Sequence, residues 1–210
     1  MLGLIKKDFL TLKANIKSMI IIFIIYILLS LQTASNIVII IPIITIMLLI
    51  ATFSYDDFNN WNSYAITLPN GRKNVVKAKY ISSIILTITL AVIAVAISIG
   101  ISYAKTNTLN LTKIVPVLTE IILSNTIIIS LLYPVVFKFG ATNGRIILFA
   151  IVFGVLGIGA LISQFINFTS IINVINKLAN YQFLTVPLFF VVLLSISYLI
   201  SNKIYQNKEF

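Results

Sequence analysis

The sequence contains no cysteine and no histidine. Disulfides, thiol nucleophiles and haem attachment are excluded, along with nearly all zinc chemistry. So is the side chain most used for proton transfer near neutral pH. Charge is scarce too. Only 10% of the 210 residues are charged, where an ordinary soluble domain carries roughly a quarter. Five of them are carboxylates, and these are scattered along the chain. No G-x-x-x-x-G-K-[ST] phosphate loop is present, so any nucleotide that drives this chain must be bound by another subunit.

Hydrocarbon takes the place of what is missing: 60% of the residues are hydrophobic. Apolar stretches recur along the whole length, each long enough to cross a bilayer core of roughly 30 Å. No stretch of soluble-domain size separates them, so residues 1–210 read as one all-α integral membrane domain. The first apolar run does not read as a cleaved signal peptide, because its charged flank is long and no A-x-A site follows.

Six spans are expected, over about 18–34, 37–54, 80–104, 114–136, 146–166 and 181–201. Residues 1–17 precede them as an amphipathic interfacial helix. Ile5, Phe9, Leu12 and Ile16 fall on one face, with Lys6, Asp8, Lys13 and Lys17 off it. A polar stretch at 55–79 separates spans 2 and 3, and a tail at 202–210 ends the chain. The net charge of +10 suggests nucleic acid at first, but the basic residues flank the apolar runs. With six spans, twelve of the fifteen lysines and arginines fall on one side, and only Lys105, Lys113 and Lys177 on the other. The positive-inside rule then puts both termini and the 55–79 stretch in the cytoplasm, with membrane lipid and no nucleic acid as partner.

Ala96 with Gly100, and Ala150 with Gly154 and Gly157, offer small-residue faces for helix packing. Lys138 to Arg145 read as a short polar loop containing Gly140 and Gly144.

The 55–79 stretch is the most informative. Phe58, Trp61, Ala65 and Leu68 recur at helical spacing, and Asp56 and Asp57 stand where they could cap the helix. Leu68-Pro69-Asn70-Gly71 closes it with a turn, and a new helix starts near Arg72, carrying Lys73, Lys77 and Lys79 into the third span. Trp61, the sole tryptophan, suits either a headgroup anchor or a side chain that fills a partner's groove.

Lys6-Lys7-Asp8, then Tyr55-Asp56-Asp57 with Trp61, then Leu68-Pro69, Arg72, Val76, Lys79 and Tyr80, form an ordered set. In it the chain resembles the small permeases of ABC-2 type exporters, most of all those that export phenol-soluble modulins and other amphipathic or antimicrobial peptides. The resemblance implies an elbow helix before six spans, a coupling helix between spans 2 and 3, and a short outer re-entrant element between spans 5 and 6. The re-entrant position corresponds to the semi-polar stretch 167–180. It implies two copies of a separate ABC ATPase, which bind ATP and magnesium, while this chain binds no cofactor. It also implies a second permease chain, as homodimer or heterodimer, in a bacterial cell membrane. The coupling residues on this reading are Asp56, Asp57, Phe58, Trp61, Tyr64, Leu68, Pro69, Arg72, Lys77 and Lys79.

Other classes are weaker. A substrate-capture subunit of a vitamin or metal importer would need a compact polar pocket, for which Glu120, Asn125 and Gln164 are the candidates. A membrane-embedded enzyme lacks histidine and a catalytic pair, since adjacent Asp56 and Asp57 do not face one point on a helix. A secondary transporter would need internal repeats or a coupling charge array, and neither is visible.

Overall fold

The computed structural model describes residues 2–30, 36–68, 71–106, 114–163 and 182–208, and every regular element among them is helical. The elements are α1 (Leu2–Ser30), α2 (Asn36–Phe58), α3 (Trp61–Thr67), α4 (Gly71–Thr106), α5 (Ile114–Ser163) and α6 (Gln182–Gln206). Four helical segments among the described residues are long and apolar enough to cross a membrane: Ile40–Phe58, Gly71–Ala104, Ile114–Gly154 and Thr185–Gln206.

Helix α1 runs unbroken through the segments read from sequence as an interfacial helix and a first span. No proline or glycine falls between Ile5 and Ser30, so nothing in the backbone forces a break there. Helix α4 likewise carries the basic stretch at Arg72–Lys79 directly into its apolar length.

Helix α5 is two arms, 114–139 and 141–163, joined at Gly140, whose φ of 80° and ψ of 174° are not helical. A methyl built on Gly144 would lie 3.1 Å from the Val136 Cα. Residues eight apart in a straight helix are about 12 Å apart along its axis. The chain therefore reverses at Gly140, and each arm is longer than the ~30 Å hydrocarbon core. The loop expected over Lys138 to Arg145 is thus one non-helical residue with helix on both sides.

Helix α5 packs against α2, α4 and α6, and α1 against α2 and α4. Ile41, Ile121, Ile129, Leu132 and Tyr133 are fully buried among them. Near the α3 end an edge-to-face aromatic stack forms: Tyr133 meets Phe53 at 5.3 Å and Tyr80 at 4.6 Å, and Phe137 meets Phe53 and Tyr205, each at 5.2 Å. Among the described residues, the small residues expected to seat helices do not do so. A methyl on Gly100, Gly154 or Gly157 would meet nothing within 4 Å, and the close approach is Gly144 on Val136.

Candidate functional site

One end of the bundle gathers the chain's charged residues from distant positions. Helix α2 continues through Asp56 and Asp57 to Phe58 and ends where Asn60 adopts a left-handed φ of 51°. Asparagine tolerates that conformation. Asn60 also precedes α3, and its side chain makes no capping bond. The expected capping of α3 by Asp56 and Asp57 is therefore not what forms. Both acids belong to the last turn of α2, where the helix dipole disfavours negative charge, and each finds compensation elsewhere.

Asp56 is compensated by two lysines. Its Oδ2 lies 2.7 Å from the Lys79 ammonium on α4, and its Oδ1 accepts a hydrogen bond from Lys7 on α1. Lys79 also donates to Asp8 Oδ1 at 2.9 Å, Lys7 lies 3.4 Å from the same oxygen, and Ser82 donates to Asp8 Oδ2 at 3.1 Å. Two acids and two lysines thus form a neutral cluster joining α1, α2 and α4. Asp8 is 2% exposed, and Asp56 and Lys79 are 3% exposed. Charges so buried persist only when paired and hydrogen-bonded. Burial, and after it the Lys79 ammonium, pulls the Lys7 ammonium below the usual lysine range, against the Asp56 and Asp8 carboxylates.

Aromatic rings close the cluster. Lys79 Nζ sits 4.7 Å from the centre of the Phe53 ring, and Lys7 Nζ sits 4.5 Å from that of Trp61. Trp61 is half-buried, stacked at a tilt on exposed Tyr64 at 5.2 Å, and its buried indole N–H has no hydrogen-bond partner. Phe58, the last residue of α2, is 86% exposed.

Asp57 caps a different helix. Its Oδ2 accepts the Ala141 backbone N–H at 2.7 Å, at the start of the second arm of α5, and its Oδ1 accepts from Asn62 at 3.1 Å. The end of α6 closes over the same region. Tyr205 donates to Asn62 at 2.9 Å, Arg72 donates to the Gln206 carbonyl, and Lys208 donates to the Phe137 carbonyl at 2.9 Å. The Leu68 carbonyl accepts the Gly71 N–H at 2.8 Å, which closes the expected turn. Pro69 within it lies outside the described residues.

The residues singled out from sequence thus separate into layers. Asp56 and Lys79 are buried, Trp61, Leu68 and Arg72 are half-buried, and Asp57, Phe58, Tyr64 and Lys77 face outward. Lys7, Asp8 and Tyr205 complete the assembly. Nothing in their local spacing marks them, although Lys7 and Asp8 belong to the ordered set of resembling residues.

Two of the three intramembrane candidates, Glu120 and Asn125, lie among the described residues. Glu120 is exposed, whereas Asn125 on the same arm is fully buried, with neither amide atom hydrogen-bonded. Gln164, Lys113 and Lys177 lie outside the described residues. No group of acids that could hold a metal ion occurs among the described residues.

The sequence model of the ABC-2 family transporter protein matches residues 3–206. The chain belongs to the ABC-2 transporter family. It is a membrane permease component, and permeases of this family lack the catalytic nucleotide-binding domain of the transporter. Searches of curated proteins and of solved structures give no match. The match takes in the charged end of the permease from Lys7 to Gln206, all but Lys208.

Proposed function

We propose that this permease moves amphipathic or antimicrobial peptides outward across a bacterial membrane, driven by a separate ABC ATPase that docks against α3. On this reading the chain crosses the membrane six times, with both termini and α3 in the cytoplasm. Helix α1 begins as the elbow, a second permease chain completes the path, and an outer re-entrant element lies at 167–180, outside the described residues.

One observation carries the proposal. A seven-residue helix presents exposed Tyr64 on its outer side, and Phe58, at the end of α2 just before it, is exposed as well. Its inner side rests on Trp61, over Lys7 and the buried cluster. A conformational change driven by a ligand needs contacts that differ between two states. Phe58 and Tyr64 are available to a partner's groove, and Lys7, Asp56 and Lys79 tie the helix to α1, α2 and α4. A push on α3 is thereby delivered to three long helices at once.

The test is co-expression of tagged permease with the ABC ATPases of its host. An ATPase should co-purify with the unaltered chain. The Phe58→Ala, Tyr64→Ala double variant should lose most of the ATPase and its stimulated hydrolysis while keeping its own elution profile. Retention of the ATPase by the double variant, or capture of none by the unaltered chain, would overturn the docking assignment.

A further inference from the structure

A groove of about 370 Å³ opens between α1, α2 and α4, beyond the charged cluster. Leu12, Ile24, Ile44, Leu48, Leu90 and Ile93 line it. Two of the described residues that line it carry polar groups. The Thr89 hydroxyl is spent on the Ile85 carbonyl at 2.8 Å. The other is Lys13, exposed, with no ion pair among the described residues.

These features specify an occupant. Apart from those two groups the described lining is hydrocarbon, which offers water few partners. At roughly 10–15 Å³ of such space per water-sized group, the volume is ample for one hydrocarbon chain. Lys13 stands five residues past Asp8 on α1, at the groove end nearest the charged cluster. From Lys13 to Ile24 the helix rises about 16 Å, close to the depth of one leaflet of a ~30 Å core.

We infer that the groove holds one acyl chain of an anionic phospholipid from the leaflet on the α3 side, with its phosphate at Lys13. The inference takes from the proposed function only the membrane setting, and needs neither an ATPase nor a peptide. Bound there, the lipid packs one surface against α1, α2 and α4 together, the three helices that the charge cluster joins.

The test is native mass spectrometry of the full chain, reconstituted in an equal mixture of phosphatidylglycerol and phosphatidylcholine. One phosphatidylglycerol per chain should be retained preferentially. Lys13→Gln should lower that retention about fivefold, the factor that one lysine near an anionic surface carries, and leave phosphatidylcholine unchanged. Leu90→Trp, which fills the groove, should abolish retention of both lipids. Ile88→Trp, on an exposed position of the same helix, should leave retention as it was. If Leu90→Trp does not fold, Leu48→Phe takes its place beside Lys13→Gln. Lipid retention indifferent to Lys13→Gln and to groove filling overturns the inference. So does a groove-filling variant that splits a dimer without losing lipid, because a second copy would then be the occupant.

Discussion

Lys79 holds an ammonium where almost no water reaches it, 2.9 Å from Asp8 and 2.7 Å from Asp56. Removing one partner from such a site leaves a buried charge without compensation, at a cost of about 3–5 kcal/mol. Lys79→Met should therefore lower the thermal unfolding temperature of the detergent-solubilised permease sharply, and Asp56→Leu should do the same. The double variant keeps a neutral Lys7–Asp8 pair and should recover much of the loss. Strictly additive shifts would show that the four groups do not share one site. Sequence alone conceals this cluster for a physical reason. Periodicity reports which face of its own helix a residue occupies, and Asp8 lies off the apolar stripe of α1, so it reads as solvent-facing. Its burial comes from Lys79, 71 positions away, and no local pattern encodes that meeting. Trp61 was legible as an aromatic of special placement, but not as the lid over Lys7.

The elements were legible where apolar length decides them and less so where a single backbone angle does. Apolar runs mark α2, α4 and α6 closely. The joint between α2 and α3 misleads because Asp56-Asp57 has the composition of an N-cap, while the break comes at Asn60 in a left-handed conformation. Similarly, Lys138 to Arg145 has loop composition, yet the reversal is concentrated at Gly140. Asp57, from another helix, supplies the cap for the arm that follows. The hairpin can close because Gly144 lets the second arm approach Val136. A methyl there would sit 3.0 Å from Val136 Cγ2 and 3.1 Å from its Cα. The backbone atom cannot rotate away, so Gly144→Ala must spread the arms, at a cost of about 1–3 kcal/mol for overpacking. Gly154→Ala adds its methyl to open space and should be neutral or slightly stabilising. Thermal unfolding of the two variants side by side checks this. Equal shifts would mean that the Gly144 contact does not hold the hairpin together.

Across the whole molecule, the polar contacts place five distant parts of the chain at one end. Lys7 meets Asp56, Asp57 meets Ala141, Asn62 meets Tyr205, and Arg72 meets Gln206. The charge count from sequence anticipates that grouping, since Lys7, Arg72, Lys79, Lys138 and Lys208 all fall on the side assigned to the cytoplasm. The agreement has a common cause: charges cannot remain in the hydrocarbon, so the same residues that orient the chain are available to pair at its end. Helix α4 starts in this group and finishes at Thr106, about 54 Å away along its axis. The two ends of α4 should therefore lie on opposite faces of the membrane. The absence of cysteine allows a direct check, because an introduced thiol is the sole thiol in the chain. Ser63→Cys on α3 and Asn207→Cys beyond α6 are exposed positions at the charged end, and Ala104→Cys is exposed near the far end of α4. In intact cells a membrane-impermeant maleimide should label Ala104→Cys and spare the other two, and in inverted vesicles the pattern should reverse. Labelling of Ser63→Cys from outside intact cells would turn the permease over. Labelling of Ser63→Cys and Asn207→Cys from different faces would break the grouping itself, because Tyr205 and Asn62 could not then be in contact.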